Sequence, residues 1–311
     1  MFEKILNLKK NFLLLAVLFL LLTNSLTFLL SPKNASNKVQ NQFQIDHPLL
    51  SPERGFYAQK DLIVNLQPLR DQLSVIGQNP NISIYFEFLS TGANIAINKD
   101  QKIWPASLMK LPIAMAIMNK IEDGDLHLND EVILEQADKN ADFGSIYQNS
   151  IGTSFTIEKL LEEMLINSDN TARNMLSKKL QTDDLDAVLN HLGIEYDYRN
   201  NEQISAKKYS IFWRSLYTSS YLSPENSEKL IEIMSRSSAS QYLAGSIPKE
   251  IKFSHKIGAL YDVNNYADSG IAYVSNRPYI LTVMTKDINQ ADAEKAMQDI
   301  SQKVYAYISK Y

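Results

Sequence analysis

Cysteine is absent from all 311 residues. That excludes a structural disulfide, a thiolate zinc site, a cysteine nucleophile and a lipid-modified cysteine anchor. Histidine is scarce, and His47, His127, His191 and His255 stand far apart with no His-x-x-x-His or His-Glu-x-x-His spacing, so no metal is expected. Charge of one sign is lacking too. The 31 Lys+Arg and 35 Asp+Glu leave a net charge of −4 with no block of like charges, which gives no electrostatic footprint for nucleic acid. Neither an internal repeat nor a low-complexity tract interrupts the folded part.

The first thirty residues differ from the rest. Lys4, Lys9 and Lys10 precede the wholly apolar run Phe12–Leu22, then Thr23–Thr27 and Phe28–Leu30. This reads as an export segment with its N-terminus inside. Phe12–Leu30 is long enough to span a bilayer as an uncleaved anchor, whereas Thr23, Asn24 and Ser25 would suit the end of a cleaved signal peptide. Residues 31–59 are rich in Asn, Gln, Ser and Pro with no apolar period and read as a tether between membrane and folded domain. The expected location is therefore extracytoplasmic, anchored to the membrane by an N-terminal helix or secreted if the segment is cleaved, and a monomer is the simplest expectation.

In residues 60–311, leucines at 62, 66, 69 and 73 predict a helix ending before Gly77. Alternation over Ile82–Phe88 and the turn signal Ser90-Thr91-Gly92 predict a hairpin with Asn94–Asn98. From Pro105 to about Met234 the pattern is mainly helical. Strand signals return at Ile251–Gly258, Asp268–Val274 and Tyr279–Thr285, and Ala291–Lys310 closes the chain as an amphipathic helix. Hairpin-type connections exclude a doubly wound parallel sheet. The expected class is α+β: an antiparallel five-stranded sheet flanked by N- and C-terminal helices (60–104 and 250–311), with an inserted all-helical subdomain (105–249). The cleft between the two parts is the place to look for chemistry.

Three motifs stand out. From Pro105 to Met118 only Ser107 and Lys110 are polar, one helical turn apart on an otherwise apolar helix. Burying an ammonium is costly, so such a lysine is paired or its pKa falls, and a neutral amine beside a hydroxyl is a general base beside a nucleophile. The same tetrad recurs at Ser205–Lys208 and Ser246–Lys249, neither in an apolar helix. Ser168-Asp169-Asn170 opens a helical run and is also the residue set that caps helices. His255-Lys256-Ile257-Gly258-Ala259 ends a strand, and Gly258 permits a close backbone approach by a ligand.

In this order the motifs resemble those of the penicillin-recognising serine hydrolases, class A β-lactamases in particular, over about Leu62 to Lys310. The resemblance implies a serine hydrolase that needs neither metal nor organic cofactor. Ser107 would form an acyl-enzyme with a β-lactam or a cell-wall stem peptide, and Lys110 would be its base. Ser168 would relay a proton to the leaving nitrogen, Asn170 would hold the substrate amide, and Lys256 would attract the substrate carboxylate. Asp169 would be structural. Beside Gly258, the N–H groups of Ser107 and Ala259 would form the oxyanion hole.

Two departures from the family pattern stand beside that reading. Ile257 replaces the usual Thr or Ser between Lys and Gly and removes a hydroxyl from carboxylate recognition. The segment Leu192–Ile204 holds Glu195, Asp197 and Glu202 but no Glu-x-x-x-Asn, so no deacylating base is assigned. β-Lactam hydrolysis is the leading expectation. A D-alanyl-D-alanine carboxypeptidase or penicillin-binding protein with slow deacylation is the alternative, and a non-catalytic wall-binding module is a third.

Overall fold

A computed structural model describes residues 44, 46–51, 65–198, 200 and 202–310. The expected export segment at 1–30 lies outside them, as does most of the tether. The chain divides into a small N-terminal unit, residues 1–48 and 52–55, and a main unit comprising 49–51 and 56–311. Leu49–Ser51, assigned to the tether from composition, instead dock on the main unit. Leu50 is buried, Leu49 N–H donates to Glu228 at 2.8 Å, and the Tyr273 hydroxyl donates to the Leu49 carbonyl at 2.9 Å. Two adjacent leucines supply apolar area that the polar tract around them lacks.

The main unit begins with helix α1 (Gln67–Ile76), with Pro68 in its first turn, where the missing N–H has no cost. Strands β1 (Ile82–Phe88) and β2 (Ala93–Ile97) form the expected hairpin. After β3 (Lys102–Ile103) and a 3-10 turn at Ala106–Met109, helix α2 (Lys110–Glu122) is buried from Lys110 through Met118. A helix apolar on every face belongs inside a domain, and α2 is the central post of the helical part. Then come β4 (Glu131–Ile133) and β5 (Ser154–Thr156), paired with each other, and helices α3 (Ile157–Ile166), α4 (Asn170–Ser177) and α5 (Thr182–His191). Strand β6 (Ile204–Ser205) pairs with β3 and leads into α6 (Ala206–Thr218) and α7 (Pro224–Ser235). The insert, expected to be all helical, thus holds one short ladder, β4–β5, and a second, β3–β6, ties it to the residues just before it.

Strands β7 (Phe253–Leu260), β8 (Asn265–Ala272) and β9 (Tyr279–Thr285) complete a five-stranded antiparallel sheet, ordered β2-β1-β9-β8-β7. Helix α8 (Gln290–Ile308) closes the chain. One sheet face, with Ile84, Phe86, Leu281 and Val283, packs with Leu69 and Leu73 of α1 and Met297, Ile300 and Val304 of α8. The other face lies under α6. There the alternate residues of β1 stay buried although polar, because Arg214 of α6 reaches them: its Nε donates to Glu87 at 2.8 Å and its Nη2 to the Tyr85 hydroxyl at 2.8 Å. A sheet covered on both faces buries every residue of β1, and this alternation cannot show from one strand's sequence. Strand β7 lies at the sheet edge beside the insert, which puts its polar edge groups where the chemistry is expected.

Candidate active site

Ser107 sits in the 3-10 turn that feeds α2, and Lys110 is the first residue of that helix. The turn is held from two sides. Leu108 N–H donates to the Pro105 carbonyl at 3.0 Å, and its own carbonyl accepts from the Tyr209 hydroxyl of α6 at 2.8 Å. Ala106 is left-handed (φ 49°), a conformation costing about 1 kcal/mol or more for a residue with a Cβ, so packing holds it there. Gly258 of β7 explains part of that packing. A Cβ on it would lie 2.5 Å from the Pro105 carbonyl oxygen. The serine-bearing segment itself thus makes a close approach at Gly258.

Ser168 is also left-handed (φ 55°), in the turn before α4. The residue that fixes this turn is Asp169, fully buried. Its carboxylate accepts from Ala172 N–H at 2.8 Å as the N-cap of α4, and from Ser145 and Ile146 N–H at 2.7 and 2.9 Å. Asp169 thus caps the helix, and its neighbours are turned toward Lys110. Gly144 (φ 89°) is needed opposite, because a Cβ there would overlap the Asp169 carboxylate. Asp169→Ala would strand three N–H donors, two of them buried, and we expect a loss on the order of 2–4 kcal/mol, read as a fall in Tm. A loss below about 1 kcal/mol would contradict this role.

The Lys110 Nζ lies 2.5 Å from the Ser168 carbonyl oxygen, 2.7 Å from Asn170 Oδ1, 3.1 Å from Ser168 Oγ and 3.2 Å from Ser107 Oγ. Two of these partners can only accept. A neutral amine has two N–H groups and one lone pair, so its protons go to the Ser168 carbonyl and Asn170 Oδ1, and the lone pair faces the two hydroxyls. The electrostatics favour that state. Burial, then the nearby charges of Lys256 and Arg173, lower the Lys110 pKa to about 6. Lys256 itself is fully buried on β7, and burial lowers it to about 8 against the opposing pull of Asp268. Asp268 is held by His255 Nδ1 at 2.9 Å and by Leu243 N–H at 3.1 Å.

Asn170 is oriented as well: its Nδ2 donates to Asn140 Oδ1 at 3.2 Å, and its N–H to the Phe143 carbonyl at 3.1 Å. A cleft of about 830 Å³ opens over this group, lined by Ser107, Lys110, Asn170 and Ala259 among others. Ser168, Lys256 and Gly258 are not among the residues that line it. Ile257 packs against the apolar cluster under α8, since successive residues of a strand face opposite sides and Lys256 takes the side toward the insert.

The other two Ser-x-x-Lys tetrads are elsewhere. Ser205 caps α6, accepting from Lys208 N–H at 3.3 Å, while Lys208 pairs with exposed Glu195 at 3.3 Å. Ser246 ends a 3-10 turn. Asp197 and Glu202 tie their own loop together. Glu202 accepts from Asp197 N–H at 3.0 Å, and Asp197 accepts from Asn200 Nδ2 at 2.6 Å. Among the described residues of Leu192–Ile204, the one that lines the cleft is Tyr198, not an acid.

Sequence reasoning missed Tyr198, Arg173, Asp142, Phe143, Tyr261 and Asp262, all of which line the cleft. Arg173 alone had a local signal, three residues after Asn170 on one helix. Phe143 and Tyr261 stack across the cleft mouth with centroids 6.2 Å apart.

A sequence model of the beta-lactamase enzyme family matches residues 68–308. Beta-lactamase VEB-1 of Pseudomonas aeruginosa is 26% identical over 241 residues, covering 70% of this chain and 79% of its own. Among solved structures, a PBP-A variant described as an acyl-enzyme complex with penicillin G superposes with a TM-score of 0.72. It is 22% identical over 79% of this chain and 98% of its own. A beta-lactamase from Sphaerobacter thermophilus DSM 20745 gives the same TM-score at 18% identity, over 80% of this chain and 99% of its own. These structures share the fold, and the family match spans both the sheet and the inserted helices, so the chain belongs to the beta-lactamase family of hydrolases.

Proposed function

We propose that the protein is a serine hydrolase of class A type that works through an acyl-enzyme on Ser107. The observation that carries this reading is the Lys110 Nζ, held within hydrogen-bond distance of two obligate acceptors, the Ser168 carbonyl and Asn170 Oδ1, and of the Ser107 and Ser168 hydroxyls. Lys110 removes the Ser107 hydroxyl proton as Oγ bonds to the carbonyl carbon of a β-lactam or a peptide. The carbonyl oxygen becomes an oxyanion, and the N–H groups of Ser107 and Ala259 serve it. Collapse breaks the C–N bond, and the proton passes from Lys110 through Ser168 to the leaving nitrogen. Lys256, an ammonium below about pH 8, attracts the substrate carboxylate. The penicillin G adduct of the PBP-A variant is a precedent on the same fold. An N-terminal anchor would place this chemistry outside the membrane, where stem peptides and β-lactams are met.

One observation favours slow turnover over rapid drug hydrolysis. Glu195 faces solvent, and Asp197 and Glu202 are spent on their own loop, so no acid of that loop lines the cleft to activate water. The reading that follows is a penicillin-binding D-alanyl-D-alanine peptidase. The experiment is intact-mass spectrometry over time after adding benzylpenicillin. A peptide-mapped adduct on Ser107 that outlasts free drug supports this reading. An adduct that clears as the drug is consumed indicates a β-lactamase, and no adduct refutes the acyl-enzyme.

The same groups set a pH profile. The base form of Lys110 is populated above about pH 6, and the Lys256 ammonium below about pH 8. Acylation rates are therefore expected to rise through the first value and fall through the second, as a bell in a stopped-flow titration. A rate still falling steadily as pH rises from 5 to 7 would exclude a neutral Lys110 as base.

A further inference from the structure

Arg173 is a cation that the mechanism above does not use. It lines the cleft from α4, one turn beyond Asn170. Its Nε is buried with no hydrogen-bond partner, and among the described residues no carboxylate pairs with its guanidinium. The contrast with Lys178, the C-cap of the same helix, is direct. Lys178 meets Glu135 at 3.0 Å and Asp138 at 2.8 Å, the ordinary arrangement for a helix charge. Partial burial of an unpaired guanidinium is costly and adds a second positive charge beside Lys110, so its place in the cleft needs a ligand to offset it.

The guanidinium presents donors in a planar fork that matches a carboxylate. The two cations also come from different elements. Lys256 lies on β7, where the leaving-group carboxylate is expected, and Arg173 lies on α4 beyond the Asn170 amide that holds the acyl portion. We propose that Arg173 is a specificity residue that binds a second carboxylate, carried on the acyl side of the substrate. Preferred substrates are then dianionic: an acidic stem-type peptide or a β-lactam with a carboxylated side chain. Tyr198, which also lines the cleft, gives this subsite an apolar flank. Asp142 and Asp262 line the cleft too.

This inference rests on the acyl-enzyme reading and is tested with two drugs that differ by one side-chain carboxylate, benzylpenicillin and carbenicillin. Acylation rates of the parent protein, Arg173→Gln and Arg173→Lys are measured by intact mass, with Tm recorded for each. The parent is expected to favour carbenicillin by about tenfold. Arg173→Gln is expected to bring the ratio to about one, and Arg173→Lys to keep part of the preference. A parent ratio near one overturns the inference while leaving the acyl-enzyme intact. So does a preference that survives in Arg173→Gln, or a variant that slows both drugs equally, which would be the mark of an effect through Lys110 alone. No adduct with either drug overturns the acyl-enzyme reading and this inference with it.

Discussion

Lys110→Met is expected to slow acylation of Ser107 by about three orders of magnitude, within the usual range for loss of a positioned base. Methionine keeps most of the volume of the buried stem, so the effect is on the proton and not on packing. The Ser168 carbonyl and Asn170 Oδ1 lose their donor, which costs about 1–3 kcal/mol and should show as a modest fall in Tm. The stronger check is the pH profile. The limb near pH 6 belongs to Lys110 and should vanish in the variant, leaving only the fall near pH 8. A Lys110→Met rate within tenfold of the parent, or a retained lower limb, would assign the base elsewhere.

The second large effect is at Ser107. Ser107→Ala is expected to give no covalent adduct at any time or drug concentration, with a Tm close to that of the parent. Its Oγ makes one contact among the described residues, 3.2 Å from Lys110 Nζ, so its removal should cost less than about 1 kcal/mol. Noncovalent binding should survive, because Asn170, Lys256 and the cleft walls are untouched. An adduct of undiminished yield in Ser107→Ala would place the nucleophile on another residue, with Ser168 the first to examine, since its Oγ lies 3.1 Å from the same amine.

What could be read beforehand was decided by contrast within short windows. Ser107 and Lys110 stood out because every residue around them is apolar, and strand alternation found the sheet edges to within a few residues. Arg173 did not stand out. Its helix carries Asn174 and is followed by Lys178, so an arginine there reads as solvated, and the residues that make it part of a cleft with Tyr198 and Ala259 come from distant parts of the chain. Asp169 was legible as a cap but not as a staple, since its partners Ser145 and Ile146 come from another loop. Gly258 was legible as a close approach, but nothing local identifies the Pro105 carbonyl as what approaches. Tyr85 and Glu87 alternate like residues facing water, and only Arg214 from α6 accounts for their burial.

The contact between Gly258 and the Pro105 carbonyl joins points far apart in the chain, and Ser107 lies two residues from one of them while Lys256 lies two residues from the other. Bringing such distant segments together costs loop-closure entropy and tends to come late as a chain acquires its structure. Reactivity toward a penicillin therefore requires both ends of the domain to be in place, and a chain that has formed only its helices would not be labelled. In a refolding experiment quenched at intervals with drug, the labelled fraction would count the molecules that had completed this edge. The active serine would then serve as a covalent clock for the final step of folding.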